Sequence, residues 1–223
     1  LVQPLDFDHT ANPASHPALF EMLAEEFEKK NYDVKGLLRE IALSKTYQRS
    51  SEPTAAGKDV AEDRYATAIL KPLSPEQLGY ATMQATGLTD VYRTELAKKY
   101  TEEALHAKLA SNLGPFRSLY GTRAGEPEEG FASTLDQTLF VKHGGQIRNL
   151  IAPRTGSLVE RAAKLAEPSR VAEELYLTVY TRLPNDEERK DIEDALRGSA
   201  NRTATLGDIV WAMLASAEFR FNH

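Results

Sequence analysis

Leu19, Phe20, Leu23 and Phe27 recur at helical spacing, with Glu21, Glu25, Glu26, Lys29 and Lys30 between them. An apolar stripe backed by charge predicts an amphipathic helix. Val34, Leu37, Leu38 and Ile41 repeat the pattern in a second segment that is expected to run to about Tyr47. Only a residue or two parts the segments, so an αα-hairpin is expected. The stretch "NPASHP" before the first helix reads as punctuation. Asn12 before Pro13 marks a turn, Ser15 stands where a cap is wanted, and Pro17 suits a first helical turn. Asp33 is placed to cap the second helix. His16 alone has no such role.

Residues 48–64 are polar and aperiodic and read as a loop. In "LSPEQLGYATMQATGL", Ser74, Pro75 and Gln77 give a capping box with proline in the first turn. Leu78, Ala81, Ala85 and Leu88 form the buried stripe, and Gly87 lies near the helix end. Residues 91–113 carry another helical pattern on Leu105, Leu109 and Leu113. Four glycines and two prolines between Gly114 and Gly130 predict a long loop. Helical pattern then resumes with "STLDQTLFVKH". "SLVERAAKLAE" brings a Ser157–Glu160 capping box, and "SRVAEELYLTVYTR" a stripe of Val171, Leu175 and Val179 flanked by Tyr176 and Tyr180. "NDEERKDIEDALRG" has an Asn185–Glu188 box, three acids in its first turn and Gly198 at its end. The last stripe is Leu206, Ile209, Val210, Met213 and Leu214. No alternating strand pattern and no fixed repeat is present. The fold class predicted is all-α, an irregular multi-helix bundle with long loops. One domain over 1–223 is expected, with possible sub-units 1–113 and 131–223 around the 114–130 loop.

With 223 residues, 41% hydrophobic and 27% charged, the chain has the composition of a globular domain with a core. A net charge of −6 and the lack of a basic run argue against nucleic acid as a partner. Without cysteine there is no disulfide, thiolate metal site or cysteine nucleophile. No stretch approaches the ~20 apolar residues of a membrane span. The chain begins at Leu1 with no leader visible and is expected to be a piece of a longer polypeptide.

Chemistry is sparse. No two of His9, His16, His106, His143 and His223 have the i,i+4 spacing of a helical metal site. Glu103 and His106 form one Glu-x-x-His, whereas a di-iron bundle needs two and further glutamates. Adjacent acids such as Glu173–Glu174 point apart on a helix and read as solvating charge. Gly144–Gly145 with Arg148 offers either an anion cradle at a helix start or a plain helix–helix connection. No catalytic residue, metal ligand or cofactor is predicted. If a polar site exists, its candidates are His16, His143, Arg148, Glu218 and His223. Convergence of several of them in a cleft distinguishes a site from a scaffold.

Six segments, "NPASHPALFEMLAEEF", "YDVKGLLREIALSKTYQRSS", "LSPEQLGYA", "STLDQTLFVKHGGQI", "EELYLTVYTRLPNDEE" and "DIVWAMLASAEFRFNH", occur in the order seen in a planctomycete-type domain of unknown function. The chain resembles that domain over nearly its whole length, least over 89–130. One departure is Ala215, where the family often has Asn. The resemblance implies the C-terminal part of a large exported protein, periplasmic or at the cell surface. It further implies partner domains upstream in the same polypeptide, often with a cytochrome-c-like module. It implies no reaction. The reading that follows is a non-catalytic helical module for scaffolding or protein–protein contact. Its rival is an enzyme or ligand-binding domain, related to carbohydrate or serving an upstream haem module, with a site near His16 and the 114–130 loop. His16 is further expected to be a neutral latch between the start of the first helix and the C-terminal segment.

Overall fold

The apolar stripes read from the sequence lie on helices, apart from Leu88, which opens the next helix, and Leu113, which stands between two, in the computed structural model, which describes residues 13–51, 60, 64–68, 70–121, 137, 140 and 144–222. Among these residues there are twelve α-helices. The all-α class is therefore the observed one. Among the described residues its only departure is a pair of two-residue strands, β1 (Lys71–Pro72) and β2 (Phe221–Asn222). The chain divides into two compact units between Lys71 and Pro72.

The first unit contains α1 (Pro17–Lys29) and α2 (Val34–Leu43). The helix start differs from expectation. His16, not Ser15, takes the N-cap position and makes no side-chain cap bond. Pro17 already fixes the first turn and needs no amide partner. The end of α1 is a Schellman turn. Tyr32 N–H donates to the Phe27 carbonyl (2.9 Å) and Asn31 N–H to that of Glu28 (2.9 Å). Asn31 and Tyr32 both lie in the left-handed region, at φ 52° and 61°. The Tyr32 ring meets Phe27 edge-on at 5.3 Å, the apolar contact that accompanies such turns. Asp33 then caps α2, accepting from Gly36 N–H at 3.0 Å. This helix ends at Leu43, earlier than the periodicity suggested, because Ser44 turns the chain. Neither helix holds a buried residue.

The second unit carries the core. It contains α3 (Pro75–Ala85), α4 (Leu88–Leu96), α5 (Glu102–Ala110), α6 (Gly114–Tyr120), α7 (Gly145–Ile151) and α8 (Leu158–Lys164). These are followed by α9 (Pro168–Val179), α10 (Asp186–Arg197), α11 (Arg202–Ala215) and the single turn α12 (Ala217–Arg220). α11 packs on α7, α8, α9, α10 and α12, which makes it the central helix. α3 packs on α4 and α6, and α4 on α5. Leu158, Leu175, Leu206 and Val210 are fully enclosed, each at 0% exposure. Enclosing a leucine side chain in this way is worth about 1.5–3 kcal/mol.

The expected capping boxes at Ser74–Gln77 and Asn185–Glu188 are both complete. The one at Ser157 is half formed. Ser157 Oγ accepts from Glu160 N–H (3.4 Å), but Glu160 reaches Gly156 N–H instead (3.4 Å). The Ser157 N–H is taken by the Arg154 carbonyl (2.9 Å). Two segments differ from the sequence reading. Residues 91–113 do not form one helix. The chain breaks at Ala97 (φ 45°) and restarts where Thr101 caps α5. Residues 114–120, expected in a loop, form α6, because Pro115 sits in its first turn and Phe116 is buried. The remainder of that expected loop, 122–130, lies outside the described residues.

Gly87 joins α3 to α4 at φ +80°. A Cβ there would stand 3.0 Å from the Gly156 carbonyl oxygen and 3.1 Å from Leu158 N. Beside it, Leu158 N–H donates to the Thr86 carbonyl at 3.0 Å. This close backbone crossing ties the α3–α4 bend to the start of α8.

Candidate functional site

Glu218 is the sequence-predicted candidate with the densest surroundings. Ser216 presents it by capping α12, its Oγ accepting from Phe219 N–H at 3.2 Å. The carboxylate meets Arg182 with two hydrogen bonds, Nε to Oε1 at 2.6 Å and Nη2 to Oε2 at 2.9 Å. Arg182 also holds Glu188 with two, at 2.8 and 2.7 Å, and donates to the Leu183 carbonyl at 3.2 Å. The guanidinium thus engages two carboxylates in bidentate fashion, which its planar fork suits. Its carbon lies 5.1 Å from the Tyr176 ring centre and 5.6 Å from that of Tyr180.

Electrostatics follow from this packing. Hydrogen bonds donated to Glu188 and Glu218 push the Arg182 pKa further up. Those from Arg182 hold Glu188 below the usual carboxylate range, against a smaller opposing effect of burial. Burial, helped by the nearby Glu188 charge, pushes Tyr176 up to about 12. Burial also raises Tyr180, whose hydroxyl donates to the Met213 carbonyl at 3.1 Å and lies 3.0 Å from Ser216 Oγ. Both carboxylates face one cation and both phenols stay protonated. Such a cluster fixes geometry: it joins the α9–α10 turn to α12.

The other candidates fall elsewhere. Arg148 is exposed on α7. Gly144 caps that seven-residue helix, its N–H bound to the Phe140 carbonyl at 2.8 Å. His16 is half-buried, with Nδ1 3.1 Å from Ser15 Oγ and its ring 5.6 Å from Tyr65. His143 and His223 lie outside the described residues. Of the lone Glu-x-x-His, His106 Nε2 lies 3.0 Å from the Tyr80 hydroxyl. Glu173 and Glu174 do point apart. Glu173 pairs with Arg170 and Arg189 and Glu174 with Arg161, each at 3.1 Å.

Sequence reasoning missed Arg182. A signal was there: Tyr176, Tyr180 and Arg182 follow one another across a helix end, ahead of a capping glutamate. It also did not anticipate that the hairpin stripe stays on the surface. Leu19 (39% exposed), Phe20 (43%) and Met22 (51%) on α1 are open to solvent. So are Val34 (57%) and Leu38 (60%) on α2. Among the described residues no helix is long and apolar enough to cross a membrane.

A family model described as PSD1, a protein of unknown function (DUF1553), matches residues 1–196. The chain belongs to that family. The closing "SAEFRFNH" segment lies beyond the matched span. No curated protein and no solved structure matches.

Proposed function

We propose that this member of the PSD1 family is a non-catalytic helical module of an exported multidomain protein, and that α1 and α2 dock on the upstream domains of the same polypeptide. The observation that carries the reading is the open apolar stripe. Leu19, Phe20, Met22, Val34 and Leu38 are each more than a third exposed, and neither helix buries a residue. Two helices of 13 and 10 residues are too short to persist by propensity alone. Large apolar side chains left open on amphipathic helices are candidates for an interaction site. The ion cluster at Arg182 supports the non-catalytic part, since its carboxylates are both committed to one guanidinium.

A photo-crosslinking residue placed at Met22 or at Leu38 in the full-length protein tests the docking. Crosslinked peptides from upstream domains of the same polypeptide are the expected product. Labelling by solvent alone at both positions, or crosslinks only to other proteins, overturns the assignment of the partner. The polar-site alternative around His16 is tested in the same protein with His16→Ala. A docking module keeps its crosslinks and its fold in that variant.

A further inference from the structure

Away from the arginine cluster, α3, α4 and α5 enclose a groove of about 500 Å³. That is the size range of small-molecule sites. Each helix turns one i,i+4 pair of polar side chains into it: Tyr80 and Gln84 from α3, Thr89 and Arg93 from α4, Glu102 and His106 from α5. Ala81, Leu105 and Leu109 form an apolar floor. An apolar base with a few convergent polar groups is the usual build of a ligand site.

Four of these polar groups are already engaged with neighbours. Tyr80 Oη and His106 Nε2 are 3.0 Å apart. Tyr100 donates its hydroxyl proton to Glu102 Oε1. Arg93 holds Asp90 at 3.0 Å in an i,i+3 pair with both side chains about half exposed, the kind that contributes little and exchanges readily. Two groups are not engaged. Thr89 is only 6% exposed, yet its hydroxyl makes no hydrogen bond among the described residues. The Gln84 amide makes none either. The hydroxyl is reached from the groove, so water or a ligand there supplies its partner. Thr89 also sits at the second helical position of α4, where backbone N–H groups lack intrahelical acceptors.

The charge pattern identifies what fits. At the α4 end, the Thr89 hydroxyl and the Arg93 guanidinium can both donate, and a helix start favours an anion. Across the groove Glu102 can only accept, and it repels a second negative group. We propose that this groove binds a small organic anion that also carries a hydroxyl or ammonium donor, its acid group on Thr89 and Arg93 and its donor on Glu102. The inference stands apart from the docking reading, since none of its residues lies on α1 or α2.

The test is a titration of the isotope-labelled chain, followed by amide NMR shifts, with glycolate, serine and inorganic phosphate as probes. Glycolate and serine are expected to give saturable shifts at Gln84, Thr89, Arg93 and Glu102, with phosphate at least tenfold weaker. Thr89→Val and Arg93→Gln should each weaken serine binding at least tenfold with the circular dichroism unchanged. Glu102→Gln should weaken serine and strengthen phosphate. Arg93 is exposed, so Arg93→Gln decides the matter if Thr89→Val unfolds. The proposal fails if neither organic probe saturates, if the shifts centre elsewhere, or if Arg93→Gln binds like the parent. Equal binding of phosphate and glycolate removes the donor half.

Discussion

Arg182 and Glu218 are 36 residues apart in sequence and joined by two hydrogen bonds, at 2.6 and 2.9 Å. The pair anchors the last helical turn to the α9–α10 connection, and Glu188 shares the same guanidinium.

Arg182→Lys keeps the charge and loses the fork. The variant is expected to be about 1–2 kcal/mol less stable by urea unfolding. That figure is taken low in the range for charge-assisted bonds because the Arg182 side chain is 38% exposed and partly screened by solvent. Stability equal to the parent would show that the cluster is a surface coincidence.

Acid should loosen the same joint. Glu188 titrates below its ordinary value in the folded chain because Arg182 hydrogen-bonds its charged form. A depressed folded pKa means the stabilisation is complete above the unfolded value, about 4.3, and disappears as pH falls through the folded one. The melting-temperature gap between the parent and Glu188→Gln is expected to be constant from pH 7 to about 5. Below about pH 4.3 it should close. A gap that widens on acidification contradicts the pairing.

Tyr176 offers a check at the other end of the scale. Burial lifts it to about 12, so the neutral phenol is the folded form. Below the unfolded value, about 10, no linkage cost arises, and stability declines as pH rises from there toward 12. Ring-carbon NMR at pH 11 should show Tyr176 protonated. A midpoint near 10 for Tyr176 would mean that the site is open to water.

Gly87→Ala should destabilise the chain by about 1–3 kcal/mol. The position needs φ +80°, and an added Cβ would crowd the Gly156 carbonyl and the Leu158 amide, which are backbone atoms. Calorimetry of the variant measures this directly, and an unchanged melting temperature would exclude strain at the bend.

The two leucine stripes should respond unequally. Leu206→Ala removes a fully enclosed side chain and is expected to cost about 2–5 kcal/mol. Leu23 is only half-buried, so Leu23→Ala should cost well under that. A unit with no buried residue among those described has little unfolding enthalpy of its own. Heating should therefore give one endotherm, and a second resolved transition in calorimetry would show an independently stable hairpin.

Local chemistry was legible in the sequence. The capping residues Asp33, Ser74 and Asn185, and the stripes Val171–Leu175–Val179 and Leu206–Val210, stand where they were expected. Caps and helical stripes depend on residues three and four apart, so the chain itself specifies them. The break at Ala97 and the helix at Gly114–Tyr120 were also written there. The Thr101 cap with Glu102 and Glu103, and Pro115 ahead of Phe116, are start signals that a longer stripe and a glycine count obscured. Tertiary structure alone decided the rest. Arg182 finds Glu218 only because α9, α11 and α12 pack together, and Thr89, Arg93, Gln84 and Glu102 share a groove only through the crossing of three helices. It also decided which apolar stripe is buried. Periodicity marks a face that seeks cover but carries no information about what covers it, and so the stripe of α1 reads like that of α11 while one is open and the other closed.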